Sequence, residues 1–324
     1  MPVRSRVLHL GGWLVLAPLS AVALARVVTW DSRSVLVGLN ALTPMLFLPS
    51  WVVAIVAGVF RRWALLLAAA LLVVAHLSFA LPELLAAEDV PSSALTAPAF
   101  RIFSANVYAG NRDVAGYAEE IRRSRPDVVV LQEATPDFLA GLEATGVLVD
   151  LPHRLTVARF DPFAAAVASH WALNEDDVIS VDGRPILLRV TVDFAGTPIR
   201  LFGVHAVAPV GGNRGEWVED LETIGEAVAA ERRPVLLAGD FNATWGHRSF
   251  RQLLDVGLTD AAAERGKAYQ MTWPRGMGLV PPLTRIDHVL TTERLTVTHI
   301  TTGRGRGSDH RPLIADVALI EPRT

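Results

Sequence analysis

The chain has 324 residues, 51% hydrophobic and 19% charged, which excludes a disordered or fibrous protein and exceeds one average domain. Its mean hydropathy of +0.34 is high for a soluble enzyme, and its net charge of −3 is unevenly split: residues 1–98 carry 6 Arg against 4 acidic residues (+2), and residues 99–324 carry 24 Lys/Arg against 29 acidic residues (−5). With no cysteine, a disulfide framework, a thiolate nucleophile and a cysteine zinc site are all excluded, while the redox compartment stays open.

Residues 7–25, 34–60 and 63–82 contain no formally charged side chain, and roughly 20 apolar residues span a hydrocarbon core. They predict three transmembrane helices, at about 7–28, 34–60 and 63–82, in a membrane region 1–90. Asn40, Pro44 and Pro49 make the second the least regular, and a kink is expected there. Arg4 and Arg6 with Ala23-Leu24-Ala25 also read as a signal peptide, but two further spans weigh against cleavage. His76, inside the third span, reads as a neutral imidazole packed between helices. Arg4, Arg6, Arg61 and Arg62 oppose Arg26 and Arg33, a balance that places the C-terminal domain outside the cytoplasm.

Residues 91–98, bounded by Pro91 and Pro98, read as a linker, and 99–324 as one further domain. Residues 100–107 predict a strand; Val114, Tyr117, Ala118 and Ile121 recur at helical spacing until Pro126; residues 127–131 predict a buried strand. Strands at 186–194 and 199–206 flank a hairpin turn at Ala195-Gly196, and Trp217, Leu221, Ile224 and Val228 predict a helix before a strand at 235–239. Strands at 285–291, 295–301 and 313–319 close the domain, an α/β class with two packed sheets and helices outside.

Polar residues recur where these apolar strands end: Asn106, Glu133, His205, Asp240 with Asn242, and Asp309 with His310. Asp287 instead sits within a predicted strand, an odd place for a carboxylate. Each one alone has a bland explanation as a turn, a cap or a satisfied core histidine. Together, the hard oxygen donors suit Mg²⁺ or Mn²⁺ and the histidines suit acid, base or phosphate contacts, a set fitted to phosphoryl transfer.

The order Asn106, Gln132-Glu133, Val204-His205, Gly239-Asp240-Phe241-Asn242, Ile286-Asp287-His288 and Ser308-Asp309-His310 resembles the endonuclease/exonuclease/phosphatase superfamily over about residues 99–320. The resemblance implies a four-layered α/β/β/α sandwich of the DNase I-like kind, with strand-end residues lining one metal-dependent phosphoesterase pocket. It implies Glu133 as the principal metal carboxylate with Asn106 and Asp309 completing the shell. Asp240 would position or deprotonate the attacking water, and Asn242 would donate to the phosphoryl oxygen. His310, oriented by Asp287, and His205 would contact the phosphate or relay protons. His205 stands where abasic-site nucleases place a tyrosine, closer to the DNase, sphingomyelinase and phosphatase branches.

Three spans before such a domain are similar to VanJ-type teicoplanin-resistance membrane proteins, which implies action on undecaprenyl pyrophosphate. The expected partners are the bilayer and a phosphorylated lipid, in the cell membrane. Nucleic acid is disfavoured, because the domain is −5 with the single lysine Lys267. The alternatives are an anchored extracytoplasmic nuclease, a phospholipid phosphodiesterase and, last, a non-catalytic membrane scaffold. Gly303–Gly307, with Arg304 and Arg306, reads either as a pyrophosphate contact or as a solvated loop. Trp245 and Trp273 read as rim or core, and His153, His170, His247, His288 and His299 receive no role.

Overall fold

The computed structural model describes residues 3–85, 89–276 and 278–321, so the parts of the expected regions at 1–2, 86–88, 277 and 322–324 lie outside the described residues. The chain forms two compact units, one of Met1–Leu84 with Thr244–Arg248 and one of Leu85–Ala243 with Ser249–Thr324.

The first unit contains α1 (Val3–Val28), α2 (Ser34–Ala41), α3 (Thr43–Leu46), α4 (Leu48–Val59) and α5 (Trp63–Leu84). Leu8–Val28 and Trp63–Leu84 are each long and apolar enough to cross a membrane. The expected second span is not one straight helix: Ser34–Ala41 and Thr43–Val59 are bent by 74°. Pro44 and Pro49 stand in the first turns of α3 and α4, where a missing N–H is harmless but the ring blocks continuation from the preceding turn. Leu16, Phe47, Leu65, Ala69 and Leu72 make the shared apolar core of these helices. His76 is buried and its Nδ1 accepts the Trp51 Nε1–H at 3.0 Å, as a neutral packed imidazole does.

In the second unit β1 (Ala99–Asn106), α6 (Val114–Ser124), β2 (Val128–Gln132), α7 (Pro136–Ala144), β3 (His153–Val157), β4 (Ala165–Ser169), β5 (Leu173–Val181), β6 (Arg184–Phe194) and β7 (Thr197–His205) come first. They are followed by α8 (Arg214–Ala229), β8 (Val235–Asp240), α9 (Arg248–Leu254), β9 (Thr259–Asp260), α10 (Ala261–Glu264), β10 (Asp287–Thr291), β11 (Leu295–Thr302) and β12 (Leu313–Leu319). Two mixed sheets result, ordered β11-β12-β1-β2-β4-β3 and β5-β6-β7-β8-β10-β9. Val128, Val130 and Val167 of the first sheet meet Leu188, Val190, Leu201 and Leu236 of the second in one core, and Tyr117, Ile121, Phe138 and Leu142 bring α6 and α7 onto the first sheet. This is an α/β sandwich.

The elements that the pattern misses are readable in hindsight. Strand β4 is Ala-Ala-Val-Ala-Ser, whose small residues carry little strand preference, and β5 opens with Asn174-Glu175-Asp176-Asp177, charges that suit its place at a sheet edge. The β6–β7 hairpin turns at Ala195 and Gly196, with φ of +51° and +75°, the pair of positive angles that matches the twist of the flanking strands.

Candidate active site

Parallel pairing aligns strand ends. β1 runs parallel to β2 with Asn106 opposite Gln132, and β7 runs parallel to β8 with His205 opposite Asp240. Antiparallel β10 then sets Asp287 opposite Asp240. Asp287 is therefore the first residue of its strand rather than an interior one, and its carboxylate emerges where β8 ends. That register removes the apparent anomaly of a carboxylate inside a strand.

Hydrogen bonds join these ends across the two sheets. Asn106 Nδ2 donates to Glu133 Oε1 at 2.9 Å and to Asp240 Oδ2 at 3.0 Å, and its Oδ1 accepts from the Tyr108 N–H at 3.0 Å. Glu133 Oε2 accepts from the Ala109 N–H at 2.9 Å. His310 Nδ1 lies 2.9 Å from Asp287 Oδ2, and its Nε2 lies 3.7 Å from Asp240 Oδ2. The Asn242 N–H donates to Asp240 Oδ1 at 2.8 Å and Asn242 Nδ2 donates to the Ala206 carbonyl at 2.9 Å. Glu133 (φ +57°) and Asn242 (φ +48°) are both left-handed, a conformation costing on the order of 1–3 kcal/mol in a non-glycine residue and retained only where surrounding bonds fix it.

The Gly-Ser-Asp-His turn is seated by Ser308, whose Oγ donates to the Asn106 carbonyl at 2.8 Å and accepts from the His310 N–H at 3.0 Å. Asp309 Oδ2 accepts from Trp273 Nε1 at 3.2 Å, and the Asp309 carbonyl accepts from the Arg275 N–H at 2.7 Å. Among the described residues the hydrogen-bonded run from Glu133 to Asp240 does not extend to Asp309. His205 packs against Phe163 with ring centroids 5.6 Å apart.

Burial and charge shift the titrating groups in opposite senses. Burial, with Asp287 adding to it, pushes the Asp240 carboxyl up to about 7 against the opposing pull of His310. For His310 burial works the other way, but Asp287 and Asp240 outweigh it and hold the imidazolium up to about 10. Burial keeps His205 below the usual histidine range, helped by His310 and opposed by Glu133. Two histidines in one site thus differ in charge near neutrality.

The donor set fits a divalent cation. Asp240, Asp287 and His310 offer ligand atoms that all lie within 4.8 Å of one another. The charges of those two carboxylates are partly met by the imidazolium, whereas among the described residues Glu133 is met by neutral amide donors. A half-buried carboxylate without a cationic partner among the described residues is a hard oxygen ligand in need of a cation.

Several supports of the site receive no role from the sequence: Ser308, quoted there only as part of its motif, the Tyr108 and Ala109 amides, and Phe163. Only their nearness in sequence to Asn106 or His310 signals the first three. Arg304–Gly307 is a turn held through its backbone, with Arg304 and Arg306 exposed: Glu120 accepts from the Arg304 and Gly305 N–H groups, and Asn111 Nδ2 donates to the Arg306 carbonyl at 3.0 Å. His288 points away from the site, with Nδ1 2.8 Å from Asp260 Oδ2 and Nε2 2.9 Å from the Ala243 carbonyl, and so steadies the chain just beyond Asn242.

The model of the Endonuclease/Exonuclease/phosphatase family matches residues 103–310. No curated protein matches the chain. Among solved structures, D. rerio TDP2 complexed with single strand DNA product is similar at 20% identity, covering 68% of this chain and 98% of that one with a TM-score of 0.59. Truncated Caenorhabditis elegans TDP2 is similar at 17% identity (68% and 97%, TM-score 0.56). The endonuclease/exonuclease/phosphatase from Beutenbergia cavernae DSM 12333 is similar at 20% (69% and 72%, TM-score 0.51). At such identities the likeness to these structures is one of fold.

Proposed function

The chain belongs to the Endonuclease/Exonuclease/phosphatase family, whose members are metal-dependent phosphoester hydrolases, and from that premise we propose that it is a membrane-anchored, Mg²⁺-dependent phosphohydrolase of a lipid-linked pyrophosphate such as undecaprenyl pyrophosphate. The observation that carries this reading is the presence, on one chain, of two membrane-length apolar helices and the Glu133–Asn106–Asp240 run. Leu14, Ile55, Leu67, Leu71 and Val74 expose apolar side chains on those helices and on α4, as lipid-facing residues do. In this reading residues 1–90 cross the membrane more than once, 91–98 link, and 99–324 form a four-layered catalytic domain outside the cytoplasm. Tethering raises the effective concentration of a substrate confined to the same bilayer. The resemblance to VanJ-type proteins supports the choice of substrate.

Glu133, with Asn106 and Asp309 as further ligands, would hold the Mg²⁺, which supplies charge neutralisation at the phosphoryl oxygens. The protein's own groups do the rest. Asp240, raised to about 7, is poised to take the proton of the attacking water. Asn242 uses one amide hydrogen on the Ala206 carbonyl and keeps the other for a phosphoryl oxygen. His310, held as imidazolium by Asp287, donates toward the phosphate, and neutral His205 relays protons or contacts it.

Incubation of the purified protein with undecaprenyl pyrophosphate and Mg²⁺ tests the reading. Phosphate release is expected for the wild type and lost in Glu133→Ala; equal release from both rejects the proposal. A second reading, an anchored nuclease, draws on the likeness to TDP2 complexed with single strand DNA product. Against it stand the −5 charge of residues 99–324 and the single Lys267. Plasmid nicking at low salt would favour the nuclease, and release of a phospholipid headgroup would favour a phosphodiesterase.

A further inference from the structure

Register places four loops of the catalytic unit at one edge of the sandwich. The loop 107–113 follows Asn106 at the end of β1, and the loop 206–213 follows His205 at the end of β7. Gln132, the last residue of β2, pairs with Ala165, the first of β4. The β3–β4 loop at 158–164 therefore leaves from the same edge, and its Phe163 packs on His205. The fourth is the hairpin closed by the Trp273–Thr284 bridge, which the Arg275 N–H ties to the Asp309 carbonyl. Each of these loops holds apolar side chains out to solvent: Tyr108, Phe160 (78% exposed), Val210 (66%), and Leu279 with Val280, of which Leu279 is wholly exposed. A Cβ at Gly211, Gly212 or Gly278 would meet nothing within 4 Å, so the tips beside Val210 and Leu279 project from the surface rather than fold into a groove.

The same edge carries cations without counter-ions. Arg101, Arg184 and Arg200 show the usual state of an arginine in this acidic domain, each held by one or two carboxylates. Arg112, Arg304 and Arg306 are exposed and form no ion pair among the described residues. Arg112 shares its loop with Tyr108, and Asn111 donates to the Arg306 carbonyl, which joins the turn 303–307 to that loop. Projecting apolar tips beside unpaired arginines match a phospholipid surface, where hydrocarbon takes the tips and anionic headgroups take the guanidiniums. A folded partner demands a fixed surface of matching shape, whereas a fluid interface accepts tips borne on separate loops. We propose that this rim docks the catalytic unit on an anionic bilayer surface. Phe160, Val210, Leu279 and Val280 enter the boundary between headgroups and acyl chains, and Tyr108 lies at headgroup level. The site then meets its substrate at the depth of the lipid phosphates, a consequence that rests on the lipid-pyrophosphate reading.

The test uses the full-length protein, which has no cysteine of its own, with a fluorophore on a single cysteine introduced as Leu279→Cys, Phe160→Cys or Val149→Cys. Val149 is also well exposed, but it precedes β3, whose first residue pairs with the last of β4 at the opposite edge. Each labelled protein is reconstituted in phosphatidylcholine vesicles and in vesicles of equal parts phosphatidylcholine and phosphatidylglycerol, with and without a nitroxide-bearing lipid. The labels at 279 and 160 are expected to lose at least half their emission to the nitroxide in the anionic vesicles, and the label at 149 to lose little. Arg112→Gln with Arg306→Gln should weaken that quenching in anionic vesicles, since each arginine near such a surface is worth about fivefold in affinity. Leu279→Ser with Phe160→Ser should raise KM for undecaprenyl pyrophosphate in vesicles about tenfold, while turnover of a short, water-soluble isoprenyl pyrophosphate stays unchanged. Equal quenching at 279, 160 and 149 overturns the proposal. So does disulfide cross-linking of two copies of the Leu279→Cys variant without quenching, which would assign the rim to a second copy of the chain. Phe160 and Leu279 stand on different loops, so either labelled variant decides if the other does not fold. Quenching requires no turnover: equal phosphate release from wild type and Glu133→Ala would remove the hydrolase reading and leave the docking rim to be judged by quenching.

Discussion

Asn106 does what no carboxylate could do in its place. Its amide supplies two hydrogens to two acidic groups, Glu133 and Asp240, that would otherwise repel across the sandwich. Asp287 acts similarly through His310, and Asp287→Asn is expected to lower kcat roughly 100-fold, the lower range for a lost proton-transfer partner. The alkaline limb of the rate profile should move to lower pH in that variant, because the carboxylate that holds the imidazolium up to about 10 is gone. Away from the site, Glu231 sits between Arg200, at 2.7 Å, and Arg233. Burial alone would raise its carboxyl, but Arg200 and the Arg232 and Arg233 N–H groups pull it down to about 2. A depressed acid stabilises the fold fully above its ordinary value near 4.5, and this contribution, on the order of 3 kcal/mol, fades as pH falls toward about 2. Glu231→Gln is expected to lower the melting temperature at pH 7 and to flatten the acid side of the stability profile, read by thermal unfolding. The chemical types at the site were legible in the sequence, strand end by strand end. That one amide joins two of them was not, because the bond crosses between strands 134 residues apart.

Strands aim these side chains, and their spacing is exacting at one point. Gly239 in β8 lies opposite Val204 of β7 with φ +152°, and a Cβ there would sit 2.0 Å from the Val204 carbonyl oxygen. The next residues on the two strands are His205 and Asp240. Gly239→Ala is therefore expected to destabilise the catalytic unit by about 3 kcal/mol, seen as a lower melting temperature, and to depress turnover because β7 and β8 separate at the site. Most central elements follow from period and punctuation: β1, β2, the β6–β7 hairpin, β8, β11 and β12 fall within a residue or two of their sequence-predicted bounds, and α6 and α8 contain the apolar positions that predicted them. β4 and β5 escaped because an alanine-rich and an acidic segment give no hydrophobic alternation to count.

At the scale of the molecule, an apolar helical unit and an acidic sandwich share one chain. Removal of divalent cations with EDTA is expected to abolish hydrolysis, with Mg²⁺ restoring it, since Glu133 has no cationic partner among the described residues to hold its charge. The full chain is expected to remain in the membrane fraction through an alkaline carbonate wash; appearance in the supernatant would contradict spanning helices.

By itself the sequence determined the apolar helices, the α/β class and the chemistry of the strand-end residues, because hydrophobic period and side-chain type are local properties of the chain. Tertiary structure decided which of those residues share protons, through the Asp240–Asp287 register and the Asn106 bridge between sheets. Such pairings depend on where strands and helices pack, and no local pattern carries that information.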